Sequence, residues 1–118
     1  MRIVIDLDGT ICELKKANQS YQDVKPKEGA IEAIHNIRNK GHEIIIYTAR
    51  NMKTCDGNLG KVNANIGKLT IDWLDFYNVP YDEIIFGKPY GDIYIDDLAI
   101  TFRSWDEIEN IISKSEPK

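Results

Sequence analysis

Cysteine is scarce in this chain: Cys12 and Cys55 are the only two among 118 residues, and they lie in unlike contexts without metal-ligand spacing. That argues against a disulfide framework or a thiolate metal site, and the two read as free, half-buried thiols of a reducing compartment. Long apolar runs are missing as well. No stretch approaches the roughly 20 residues that span a bilayer, so no membrane anchor is expected. Arg2 is followed by acid at Asp6 and Asp8, where a secretory signal would need an unbroken apolar core. Excess positive charge is also lacking, with 15 Lys and Arg against 19 Asp and Glu for a net charge of -4. Nucleic acid and anionic lipid normally require a basic face, so neither is expected as a partner. A small anionic substrate stays open, because local charge governs it. The sequence has no internal repeat or low-complexity linker, and its length suits one domain, 1–118, in the cytoplasm.

What the chain does contain is a set of short β-branched runs. Residues 2–6 (RIVID), 43–48 (EIIIYT), 83–86 (EIIF) and 92–96 (DIYID) are apolar on both alternating sets, the pattern of central parallel strands covered on both faces. "LAITF" after Asp97 could add a short fifth strand. Between the first two strands, "KEGAIEAIHNIRNKG" repeats Ile31, Ile34 and Ile37 at helical spacing and stops at Gly41. Residues 62–78 place Ile66, Leu69, Trp73 and Phe76 on one helical face before Pro80. Ser104 reads as the N-cap of a last helix. Strands alternating with helices predict a Rossmann-like, three-layer α/β/α domain around a central parallel sheet. Residues 12–25 and 51–61 resist regular assignment, and both follow the carboxyl end of a strand, where ligands bind in open α/β sheets.

The chemistry-bearing residues fall at those same strand ends: Asp6 and Asp8, then Thr48, then Lys88, then Asp96 and Asp97. A parallel sheet would bring all of them to one edge. Carboxylates crowded there repel one another and raise their own pKa values unless a divalent cation such as Mg²⁺, which prefers oxygen ligands, binds among them. A hydroxyl and a lysine facing the same point suit phosphoryl oxygens.

In order, DLDGT at 6–10, the Thr of "IIIYTAR", the Lys of "GKP" and "IYIDD" resemble the four motifs of the haloacid dehalogenase (HAD) superfamily of phosphatases. The resemblance spans nearly the whole chain and implies a single HAD-like hydrolase domain. It implies that Asp6 attacks phosphorus to form an aspartyl phosphate, and that Asp8 protonates the leaving group and then activates water. Thr48 and Lys88 would hold the phosphoryl oxygens, with Lys88 also neutralising Asp6. Mg²⁺ would be held by the Asp6 carboxylate, the Asp8 backbone carbonyl and Asp96, while Asp97 would bind a metal water or orient Lys88. Gly9 and Thr10 would shape the turn so that backbone N–H groups face the phosphate. Ala49 completes the Thr-Ala pair, and Arg50 and Lys53, with Lys15 and Lys16, are candidates for a second acidic group or the phosphate itself.

The gaps between Thr10 and Lys27 and between Arg50 and Val62 are too short for an inserted cap domain. A capless site needs a large substrate, a neighbouring subunit of a homo-oligomer, or the two irregular loops to exclude water. "DLDGTIC" and "YTARNM" most resemble small capless members assigned to capsule and surface-polysaccharide biosynthesis, which implies a small phosphorylated sugar or related metabolite. Competing readings are a macromolecular substrate, phosphotransfer to an acceptor other than water, and a noncatalytic binding protein. A phospho-accepting receiver module fits less well, since its accepting Asp lies mid-chain, where this sequence has Thr48. His35 and His42 read as surface or helix-end residues, and Trp73, Phe76, Tyr77 and Tyr47 as packing residues.

Overall fold

Three of the β-branched segments pair into a parallel sheet: β1 (Arg2–Asp6), β2 (Glu43–Thr48) and β3 (Glu83–Phe86). In the computed structural model, which describes residues 1–116, the strand order is β1-β2-β3 with β2 central. Ile3 and Ile5 sit opposite Ile44 and Ile46, and Ile46 sits opposite Ile84. Strand alternation therefore gathers these five on one face. They join Ile34, Ile37, Trp73, Leu74, Trp105 and Ile112 in the main core. Ile44, Ile45 and Ile46 are all fully buried, as a central strand requires, whereas Val4 on the outer strand is 57% exposed.

The first crossover helix, α1 (Ala30–Asn39), buries Ala30, Ala33, Ile34 and Ile37, and Gly41 adopts a left-handed φ of 96° beyond its end. After β2 the chain forms α2 (Leu59–Val62), a single π-helical turn (Asn63–Gly67) and α3 (Lys68–Phe76). Asn58 caps α2, its side chain accepting from the Lys61 N–H at 3.1 Å. The buried stripe runs through Ile66, Thr70, Trp73 and Leu74 at i, i+4, i+7 and i+8. Phe76, expected on the packed face, falls to the side of that stripe and is 80% exposed. The last helix, α4 (Trp105–Ser115), has the expected Ser104 cap and packs on α1. Trp105 also ties α4 to the turn after β1, its Nε1–H donating to the Thr10 carbonyl at 2.9 Å.

Two expected strands do not form: residues 92–96 and "LAITF" are irregular, and Ile93, Ile95 and Leu98 are exposed. Local bonds stand where ladder bonds were expected. The Tyr94 hydroxyl donates to the Pro89 carbonyl, and the Asp96 side chain accepts from the Leu98 N–H at 2.8 Å. As a result β1 is an edge strand. The architecture is otherwise the expected Rossmann-like α/β fold, with no cap domain and no helix among the described residues long and apolar enough to cross a membrane.

Candidate active site

β1 ends at Asp6, and Leu7 still reaches β2, its N–H donating to the Tyr47 carbonyl at 3.1 Å. The chain then turns sharply. Gly9 takes φ 85°, and the bonds of the turn run around Asp8: the Gly9 N–H donates to the Cys12 carbonyl, and the Cys12 N–H to that of Leu7. The Thr10 N–H is likewise engaged by the Leu7 carbonyl at 3.3 Å, so the N–H groups of Gly9 and Thr10 themselves are used inside the turn. Any side chain at position 9 would be strained by that left-handed backbone.

Lys88 reaches the same edge from the far side of the sheet. Gly87 and Lys88 both donate backbone N–H groups to the Thr48 carbonyl, at 3.2 and 3.1 Å. Gly87 has φ 113°, and a Cβ there would meet Leu59 Cδ2 at 2.7 Å, so only glycine lets the chain turn at this point. Lys88 Nζ then lies 3.1 Å from Asp6 Oδ1 and 4.2 Å from the Tyr94 ring centroid. Burial nevertheless pushes the Asp6 carboxyl above its usual pKa, with Lys88 pulling the other way and Asp8 adding to the rise. The ion-pair distance alone would suggest a lowered value. Desolvation outweighs it because the carboxyl lies at the end of a core strand.

Asp8 is held differently. The Arg50 side chain, fully buried, donates from Nε at 3.1 and 3.0 Å to the two carboxylate oxygens and from Nη2 at 3.0 Å to Oδ1. The buried Thr48 hydroxyl donates to Asp8 Oδ2 at 3.2 Å and accepts from the Arg50 N–H at 3.1 Å. Arg50 also donates to the Thr70 hydroxyl at 3.1 Å and lies 4.2 Å from the Tyr21 ring centroid. A cavity of about 360 Å³ opens over Asp8, Ala49 and Arg50, walled by Leu14, Lys15 and Tyr21. Residues 12–25 thus do border the site, whereas Lys53, from the second loop, has its Nζ 5.1 Å from the Tyr90 ring.

The structure therefore brings together Asp6, Asp8, Thr48, Ala49, Arg50 and Lys88, with Gly9 and Thr10 in the adjoining turn. It leaves Asp96 and Asp97 in the exposed segment that follows β3. The donor set remains oxygen-only, which suits Mg²⁺ in kind. The burial cost left on Asp6 even beside Lys88 also favours a further cation. Among the described residues, however, no three His, Cys, Asp or Glu side chains are grouped to hold a metal. Thr70 and Tyr21 carried no signal in the sequence, because a polar position on a helix and a tyrosine in a loop look alike whether or not they touch a site.

Cys12 lies beneath this cluster, fully buried, its Sγ 3.5 Å from Asp8 Oδ1. Burial first and the Asp8 charge second push its thiol up to about 12. The thiolate is the reactive form. Iodoacetamide at pH 8 should therefore leave Cys12 unmodified in the native protein and alkylate it in denaturant, read by intact and peptide mass. Rapid native labelling of Cys12 would contradict the buried placement.

A parallel α/β domain that gathers two aspartates, a threonine and a lysine at the carboxyl edge of its sheet is of the open α/β class that places its site at the strand ends. The family model for haloacid dehalogenase-like hydrolases matches residues 3–72, and the chain belongs to that family. The crystal structure of an MCSG target from Vibrio cholerae is similar over 98% of both chains, with 36% identity and a TM-score of 0.79. A chain of the Pnkp1/Rnl/Hen1 RNA repair complex shares the fold at 19% identity and a TM-score of 0.53, over 98% of this chain and 32% of that one. No curated protein matches the chain.

Proposed function

We propose that this HAD-like hydrolase is a Mg²⁺-dependent phosphomonoester phosphatase that works through an aspartyl phosphate on Asp6. The observation that carries the reading is the contact of Lys88 with Asp6, 3.1 Å at the mouth of the parallel sheet, beside Asp8 and Thr48. Asp6 is one-third exposed, so an ester can reach it, and Lys88 offsets the repulsion between two anions. In the first step a bond forms between an Asp6 oxygen and phosphorus as the ester bond breaks. The leaving oxygen takes that electron pair and a proton from Asp8, which has to be in its acid form when the ester is bound and returns to the carboxylate in this step. In the second step Asp8 takes a proton from water, which displaces Asp6 from phosphorus and releases phosphate.

Mg²⁺ would be held by the Asp6 carboxylate, the Asp8 carbonyl and Asp96, with Asp97 next to it in the chain. When bound it supplies charge neutralisation for the incoming phosphoryl group. Asp96 joins this set if residues 92–96 pair along β1, whose outer edge has no partner among the described residues. The alternating apolar pattern of "DIYID" and its present exposure support that pairing. The substrate class is a small phosphorylated sugar or related metabolite of surface-polysaccharide biosynthesis, on the resemblance of "DLDGTIC" and "YTARNM" and on a cavity of small-ligand size. The protein would act in the cytoplasm, with a second copy of the chain covering the capless site.

Phosphate release from a panel of phosphorylated sugars, amino alcohols and amino acids, with Mg²⁺ and with chelator, tests the reading. Metal-dependent release by the wild type is expected, with sugar phosphates ranking first. Silence across the panel from folded, Mg²⁺-supplied protein would overturn it.

A further inference from the structure

Thr70 is a fully buried polar residue on α3, 20 positions beyond Arg50 in the chain, and no motif includes it. Its hydroxyl lies between two groups. It donates to the Ile66 carbonyl at 2.8 Å and accepts from Arg50 Nη1 at 3.1 Å. Ile66 belongs to the π-helical turn Asn63–Gly67, a wide turn of the kind that recurs at functional sites. The bond back to Ile66 fixes the hydroxyl rotamer, so that its lone pair points at the guanidinium. Arg50 has no exposed side-chain surface; Nε and Nη2 donate to Asp8, and Nη2 also to Cys12 Sγ at 3.7 Å. The Tyr21 ring packs over it. The result is a chain of contacts from a helix backbone to an acid at the strand end: Ile66, Thr70, Arg50, Asp8.

We infer that Thr70 is a positioning residue, which acts through Arg50 to fix the Asp8 carboxylate in the orientation from which it exchanges a proton with the leaving group. The inference rests on the proposed phosphatase reading. A planar guanidinium bound to a carboxylate through two donors leaves that carboxylate little rotational freedom, provided the guanidinium is itself anchored. Without that fork the carboxylate would be held only by the Thr48 hydroxyl at 3.2 Å and the weak Cys12 thiol contact at 3.5 Å. Thr70 does not itself line the cavity and meets the lining only through Arg50, so its removal acts on the site through the Arg50–Asp8 pair.

The test compares Thr70→Val, which keeps the shape and removes the hydroxyl, with Thr70→Ser, which keeps the hydroxyl. Two substrates are used: an alkyl phosphate, whose departure needs a proton, and p-nitrophenyl phosphate, whose departure does not. A misplaced general acid costs on the order of tenfold to a hundredfold. For Thr70→Val, kcat/KM, which reports only the steps through leaving-group departure, should fall by about that factor on the alkyl ester, and its fall on the aryl ester should be smaller. Thr70→Ser should retain most of the wild-type rate. If the valine variant does not melt cooperatively above the assay temperature, Thr70→Ala, which also removes the hydroxyl, carries the same comparison. Wild-type kcat/KM on the alkyl ester, or equal loss of kcat/KM on both esters, would overturn the positioning role while leaving the phosphatase reading standing. Absence of turnover in the wild type on either ester would overturn both.

Discussion

Asp6→Asn is expected to lower turnover by on the order of 10³-fold or more, the scale of deleting a nucleophile, and at the same time to raise the melting temperature of the metal-free protein at neutral pH. The first effect follows from the attack on phosphorus, which an amide does not make. The second follows from burial. The Asp6 carboxyl sits above its ordinary pKa because desolvation outweighs the Lys88 pair, so the folded state disfavours its ionised form relative to the unfolded chain. A carboxyl whose folded pKa exceeds its unfolded value favours folding below the unfolded pKa, and that contribution is lost as pH rises through the folded value. At pH 7 ionised Asp6 therefore works against the fold, and a neutral amide of the same shape relieves it. The advantage of the variant should fade below about pH 4, the unfolded carboxylate range. Thermal melts of both proteins in chelator, at pH 7 and at pH 3.5, measure this. A lower melting temperature for Asp6→Asn at pH 7 would mean that the Lys88 pair, and not burial, dominates at Asp6.

Much of this site was legible because strand chemistry is local. "EIIIYT" is buried on both faces as its pattern predicts, while "RIVID" is covered on one face only and leaves Val4 exposed, yet their last residues, Asp6 and Thr48, necessarily share an edge once the strands are parallel. Lys88 follows from the same logic, one turn beyond β3. "DIYID" carries the same local signal and yet is irregular, since a strand needs a partner as well as a propensity. Tyr94 and Asp96 satisfy their polar groups within a few residues, which a pattern of apolar positions does not reveal. Arg50 shows the other limit. Its place beside Thr48 marked it as a candidate for a second acidic group or the phosphate, whereas its full burial against Asp8 and Thr70 at the cavity wall has no signal in the spacing. Such a contact joins residues far apart in sequence, and neither partner's spacing announces it.

Lys88→Met should be the complement of the Asp6 variant in stability and its equal in direction for catalysis. Lys88 is mostly buried, with 18% of its side chain exposed, and its Nζ lies 3.1 Å from Asp6. Removing one partner of a buried charge pair costs about 2 to 5 kcal/mol, and the loss falls on the transition state where phosphoryl charge meets the same ammonium. Methionine fills similar volume along Tyr94, so the change is chiefly one of charge. The cation that restrains the rise in the Asp6 pKa is then gone, and the ionised carboxylate becomes still less compatible with its surroundings. Lys88→Met should therefore melt below the wild type at pH 7 in chelator, where Asp6→Asn melts above it. In the Asp6→Asn background the same lysine substitution should change the melting temperature little, because no anion is left for the ammonium to offset. A double-mutant cycle reads that difference directly. Equal destabilisation by Lys88→Met in both backgrounds would show that Lys88 supports the fold through packing and not through Asp6, and would remove the contact on which the catalytic reading stands.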